Sequence, residues 1–176
     1  MAIGIIYLQV IQKRFKQVKD QGEKAMAQLN DNEIHWKPNE VSNSVAVIVK
    51  HMSGNMHSRW KDFLTTDGEK SDRNRDQEFV DTIATNQEMF ELWEKGWEVL
   101  FTALNHLHEH DLEKHISIRG EALVIIDAIE RQLAHYASHV GQILYISKQL
   151  KGDTWQTLSI PKGKSEAYLR GDSLNS

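Results

Sequence analysis

The sequence contains no cysteine, which excludes a disulfide framework, a thiolate metal ligand and a cysteine nucleophile. Any thiol chemistry must therefore draw its sulfur from a small molecule. Proline occurs only at Pro38 and Pro161, both outside the stretches with helical periodicity, so nothing breaks those stretches internally. No apolar run approaches the roughly 20 residues of a membrane span. The apolar-rich stretch from Ile3 to Ile11 is followed, not preceded, by Lys13, Arg14 and Lys16, the reverse of a secretory signal. Basic residues are not in surplus either: 21 Lys and Arg face 25 Asp and Glu, for a net charge of −4. Such a chain has no general attraction to nucleic acid or to an anionic membrane. The expectation is a cytoplasmic protein with neither as a partner.

What the sequence does have is helical periodicity. Its 176 residues, 40% apolar and 26% charged, suit one domain over 1–176 with a real core. Four segments carry the 3.6-residue repeat, at about 3–29, 44–64, 85–107 and 121–150. Their stripes include Leu8, Ile11 and Phe15; Val45, Ile48, Val49, Met52, Met56 and Trp60; Phe90, Trp93, Trp97 and Phe101; and Ile125, Ile129, Tyr136, Val140 and Ile143. Ser42, Asn43 and Ser44 offer N-caps to the second segment. The polar stretch 65–82 is long enough to be a crossover between helices 2 and 3, and 108–120 reads as a turn-rich loop. Beyond Gly152 the periodicity stops, but Trp155, Leu158 and Ile160 remain, which predicts an extended C-terminal arm over 151–176, packed on its own chain or on a second subunit. The predicted fold is all-α, a four-helix bundle with a core over about 3–150.

Two histidines four residues apart, His135 and His139, lie in the fourth segment, where an i, i+4 pair projects from one helix face. Two imidazoles so placed can share a transition metal, but a catalytic site of the zinc type needs a third protein ligand and an open position. His51 is the candidate for that ligand. On helical wheels at about 100° per residue, all three histidines fall at the edge of their apolar arcs. Asn55 sits between His51 and the core, Gln142 sits beside His139, and Arg59 falls inside the apolar arc. A buried arginine is costly without an anionic partner or a wet cavity. Both helices thus turn a polar patch toward a common boundary, as expected where a pocket opens into a bundle. An i, i+4 histidine pair is also common on solvated helix surface, and an arginine in such a place can snorkel or form a salt bridge. His106, His108, His110 and His115 read as surface, and His57 lies on the far side of its helix from His51.

The sequence resembles the DinB-like (YfiT-like) superfamily of metal-dependent enzymes, in one of its uncharacterised branches. The resemblance is carried by Leu29-Asn-Asp-Asn-Glu-Ile-His-Trp-Lys-Pro38, by Ser44-Val-Ala-Val-Ile-Val-Lys-His51, by Arg119-Gly-Glu-Ala leading to His135-Tyr-Ala-Ser-His139, and by Leu158-Ser-Ile-Pro-Lys-Gly-Lys-Ser165. It implies an up-down-down-up four-helix bundle, a metal held by His51, His135 and His139, and a homodimer. Better understood relatives include transferases and isomerases that use bacillithiol, mycothiol or glutathione.

Three neutral imidazoles suit a divalent ion, zinc or nickel first, with iron or manganese also accommodated. The function expected is that of an enzyme activating water or a low-molecular-weight thiol for attack on a small electrophile, in hydrolase or thiol-S-transferase chemistry. Arg59 would bind a substrate anion and Asn55 or Gln142 would orient the bound group; no general base is identifiable. The competing expectations are a non-catalytic metal- or ligand-binding stress protein on the same scaffold, and a dimerising protein in which the histidines are relics.

Overall fold

A computed structural model describes residues 2–171 of the chain. The chain is mostly helical, with one small two-stranded hairpin. Four long helices, α1 (Ile3–Met26), α2 (Val45–Trp60), α3 (Asn86–Asn105) and α4 (Ile125–Lys151), share a single core. The hairpin strands are β1 (His115–Ile118) and β2 (Glu121–Val124), and a short helix α5 (Ser165–Leu169) follows in the C-terminal arm.

Side-chain contacts give the helix directions. The OH of Tyr7 near the start of α1 donates to Glu130 near the start of α4, at 2.9 Å, and Gly22 packs against Val140 further along, so α1 and α4 run together. Lys19 pairs with Glu94, while the amide of Asn86 donates to the carbonyl of Leu29, so α3 runs against α1. Gly96 of α3 approaches Ser53 and Met56 of α2, and the C-terminal ends of both helices line one hollow, so α2 and α3 are parallel. A Cβ at Gly96 would stand 3.0 Å from the Cα of Ser53, so this close approach needs glycine.

The core follows from the apolar stripes. Phe15, Trp60, Trp93, Trp97 and Tyr136 are each at most 1% exposed. Phe15 meets Trp60 edge-on, with ring centroids 6.0 Å apart, and packs against Trp97 and Tyr136 as well. Large side chains buried this fully contribute about 1.5–3 kcal/mol each. Trp60 Nε1 donates to Tyr136 OH at 3.0 Å, and that hydroxyl donates to Asn55 Oδ1 at 2.9 Å. This chain of hydrogen bonds runs from the aromatic core to the site described below.

Helix ends differ from expectation in places, each for a local reason. Ser44 caps α2 by accepting from the amide of Val47, as its residue type suggests. The helix stops at Trp60 rather than near 64, because Lys61 is extended and Asp62 adopts φ 49°. The larger correction concerns 115–124. Arg119 and Gly120 have φ 57° and 76°, and Ile118 pairs directly with Glu121, so they form the two-residue turn of a hairpin. Ala122-Leu-Val therefore belongs to a strand, and α4 begins at Ile125 rather than about 121.

The connector 61–85 does not merely cross over; it folds back along α2 and puts a 3-10 turn, Asp76–Phe79, against it. The C-terminal arm is not simply extended: Gly152–Thr154 form a 3-10 turn and α5 is helical. Trp155 and Leu158 pack on the core of their own chain, and Gln156 exchanges two hydrogen bonds with Gln28. The last five residues of the predicted arm, 172–176, lie outside the described residues. Among the described residues no helix is long and apolar enough to cross a membrane.

Candidate metal centre

Helices α2 and α4 meet along one seam and supply the site. His51, Asn55 and Arg59, spaced four residues apart on α2, occupy one face and are 5–6% exposed. Helix α4 brings Gln132, His135 and His139 to face them. His135 Nε2 lies 3.0 Å from His139 Nε2 and 3.4 Å from His51 Nε2, and the three ligating atoms all fall within 4.8 Å of one another.

On two of the three rings the other nitrogen is held in place. His51 Nδ1 is 2.9 Å from Glu78 Oε2, and His139 Nδ1 is 3.1 Å from Gln142 Oε1. Each acceptor selects the tautomer with the proton on Nδ1, which leaves the Nε2 lone pair of that ring facing the centre. Burial foremost, then the charges of His139, His51 and nearby arginines, pushes His135 down to about 3. Burial also lowers His139. Both imidazoles are therefore neutral near pH 7 and able to act as ligands. At 3.0–3.4 Å these nitrogens are close enough to share either a proton, carried on Nε2 of His135, or a cation. The donor set fits a divalent cation, with three nitrogen ligands and room for a further one.

Behind the histidines stands a charged network from the connector. Arg73 grips both oxygens of Glu78, at 2.7 and 2.8 Å, and also reaches Glu69. Arg59 donates to the carbonyl of Gly68 and to Glu69, the latter at 3.0 Å, and Arg119 from the hairpin turn joins Glu69 at 3.0 Å. Burial alone would raise Glu78, but hydrogen bonds from His51 and Arg73 outweigh it and hold the carboxyl below its usual range. Phe79 stacks on His51 with centroids 4.7 Å apart, and Arg75 lies over Phe79 at 5.4 Å. Glu78 comes this close to α2 because position 54 is glycine: a Cβ there would sit 2.6 Å from Glu78 Oε1.

Beside the histidines is a cavity of about 190 Å³, lined by His51, Asn55, Gln132, His135 and five arginines, Arg59, Arg73, Arg75, Arg119 and Arg131. A larger hollow of about 560 Å³ between the C-terminal ends of α2 and α3 gathers no comparable set of ligating atoms. A second group, His108, His110 and Asp111, is mostly surface, with the two histidine side chains 72% and 67% exposed and Asp111 engaged by Lys114.

The model of one protein family, described as "Protein of unknown function (DUF1572)", matches residues 2–164. The chain belongs to this family. The DUF1572 match takes in all three histidines, the connector and the hairpin, and stops just before α5. No curated protein and no solved structure matches the chain.

Of the residues singled out in the sequence, this member of the DUF1572 family brings together His51, His135, His139, Asn55 and Arg59, while Gln142 contacts His139 from an exposed position. Arg59 has the anionic partner its burial demands. Sequence reasoning missed Glu78, Arg73, Glu69, Arg75 and Phe79, all from the aperiodic connector, where no repeat indicates which way a side chain points. Arg131 and Gln132 carried a usable signal, since they precede His135 by four and three residues on the same helix.

Proposed function

We propose that this DUF1572 chain is a metal-dependent enzyme of the DinB-like (YfiT-like) type, its four long helices forming an up-down-down-up bundle around a three-histidine centre. The helix directions support that assignment, with α1 and α4 running one way and α2 and α3 the other. The observation that carries the reading is the convergence of the three Nε2 atoms, with Glu78 and Gln142 holding the Nδ1 positions of His51 and His139. When bound, zinc or nickel, with iron or manganese as alternatives, would supply a Lewis acid with an open position, able to lower the pKa of water or of a thiol.

The protein's own part is to orient and to bind. Glu78 fixes the ring of His51 and Gln142 that of His139, so that two of the three nitrogens are set before the ion arrives. Asn55, held by Tyr136, borders the cavity beside His51 and is placed to orient a bound group. Arg59 borders the same cavity and adds positive charge that favours an anionic substrate. The reaction proposed is attack by water or an external low-molecular-weight thiol on a small electrophile; the chain has no cysteine to serve instead. A homodimer belongs to the same proposal, supported by a stripe of exposed apolar residues on α1, Ile3, Ile6 and Val10.

One observation favours a non-catalytic, ligand-binding scaffold instead: among the described residues no carboxylate lines the cavity to act as a general base. The deciding experiment is metal content by mass spectrometry on untagged protein beside His135→Ala, followed by zinc and nickel titration. Near-stoichiometric metal that is lost in the variant supports the centre, and turnover of thiol and electrophile pairs then separates enzyme from scaffold. Equal metal in both proteins, or no saturable binding in either, overturns it.

A further inference from the structure

Three of the five arginines around the cavity are already engaged: Arg59 and Arg119 with Glu69, and Arg73 with Glu78 and Glu69. Arg75 and Arg131 are the other two, and among the described residues neither is paired with a carboxylate. Arg75 is steadied instead by the face of Phe79, which itself stacks on His51. Among the described residues, five guanidinium groups against their two paired carboxylates, Glu69 and Glu78, leave an excess of three positive charges around a space whose lining holds no acidic residue. Arg59 is buried and Arg73 half-buried, while Arg75, Arg119 and Arg131 are exposed at the rim; like charges gathered there repel, and an anion relieves that repulsion. Gln132, 4% exposed, lines the same space with its side-chain oxygen unpartnered, and turning its amide presents an N–H instead.

We propose that this cavity binds a dianionic oxyanion group of the substrate, phosphate or paired carboxylates, clamped by Arg75 and Arg131 and set against His51 and His135. The inference rests on the three histidines being the reaction centre. Two free guanidinium groups call for two negative charges, and their planar forks suit oxygen pairs better than an ammonium would. The volume decides the size. At about 190 Å³ the cavity is smaller than the roughly 300 Å³ or more of a drug-sized ligand's pocket and suits a charged head group. Arg59 is then a positioning residue, spent on Glu69 and the Gly68 carbonyl, and the clamps are the two arginines left over.

The test is isothermal titration of the full chain in low-salt buffer with inorganic phosphate, malonate and acetate, with metal content measured in every sample. The expected result is one saturable site per chain that prefers phosphate or malonate to acetate by roughly tenfold or more. The tighter of the two dianions identifies the source of the charge. Arg75→Gln and Arg131→Gln each weaken binding roughly tenfold and the double variant abolishes it, with metal content and Tm unchanged. Absence of a dianion preference, or wild-type affinity in the double variant, overturns the proposal. Dianion binding that depends on the two arginines, in a chain that binds no metal, would instead mark failure of the metal reading alone.

Discussion

His51 Nδ1 lies 2.9 Å from Glu78 Oε2, although the two residues are 27 positions apart and on different elements. Glu78 is held from its other side by Arg73, so the imidazole of His51 is oriented by a carboxylate that is itself immobilised. The geometry of the histidine centre therefore depends on the connector as well as on α2 and α4.

Replacing Glu78 with glutamine keeps the shape and an acceptor oxygen but removes the negative charge that stands against His51 Nδ1. The zinc Kd of Glu78→Gln, measured by competition with a chromophoric chelator, is expected to rise roughly 10- to 100-fold. An unchanged Kd would mean that the carboxylate does not support the ligand.

Gly54→Ala should be harmful although alanine is the better helix former by about 1 kcal/mol. The added methyl meets the carboxylate of Glu78, which Arg73 and His51 prevent from moving aside. The net expectation is a loss of about 1–2 kcal/mol in denaturant unfolding, with weaker zinc binding. A more stable variant would show that Glu78 yields freely.

Asp67 ties the hairpin to the connector, accepting from the hydroxyl of Ser117 and from the amides of Arg119 and Gly120, the latter two at 2.9 Å. The Ser117 hydroxyl first, then the amides of Glu69, Gly120 and Arg119, hold its carboxyl well below the usual carboxylate range. A depressed folded value means that the stabilisation is complete above the unfolded pKa, about 3.9, and is lost as pH falls below it. Asp67→Asn should thus cost about 1 kcal/mol at pH 7 in urea unfolding, allowing for solvent screening. The gap to wild type should close on acidification below about pH 4. A gap that stays constant with pH would count against an ionised Asp67 as the anchor.

In metal-free protein His135 should add acid sensitivity of the same sign at higher pH, through a base kept neutral. Its folded pKa of about 3 lies under the unfolded value of about 6.5, so between those limits the unfolded chain binds a proton that the folded one refuses. Stability then falls as pH is lowered through that window. The urea midpoint should drop from pH 7 to pH 5, and His135→Gln should flatten part of that slope. NMR titration showing His135 protonated at pH 6 would remove the basis for this expectation.

Much of this arrangement was legible from periodicity. The four apolar stripes place the long helices, and the wheel positions of His51, His135 and His139 at the edges of those stripes bring three imidazoles to one seam. Arg59 falls inside its stripe, and its burial with Glu69 follows from the cost of an unpaired buried charge. What periodicity could not convey lies where the chain has none. Glu69, Arg73, Arg75, Glu78 and Phe79 sit in a segment whose composition says only that it turns, and their directions come from contacts across the fold. The hairpin was hidden differently: Ala122-Leu-Val suits the start of a helix as well as a strand, and the deciding feature is two consecutive left-handed residues at Arg119 and Gly120.

The parallel packing of α2 and α3 has a consequence for how this chain can change. Two antiparallel neighbours need only a tight turn, but two parallel ones require the chain to travel back the full length of the first, about 24 Å for 16 residues. That return journey is obligatory, and here it passes the mouth of the histidine centre. The helices keep the ligating atoms in register, while the returning segment carries the groups that meet whatever enters. In the proposed enzyme, preference can therefore change at connector positions such as Arg75, provided that Glu78 and Phe79, which hold His51, are kept.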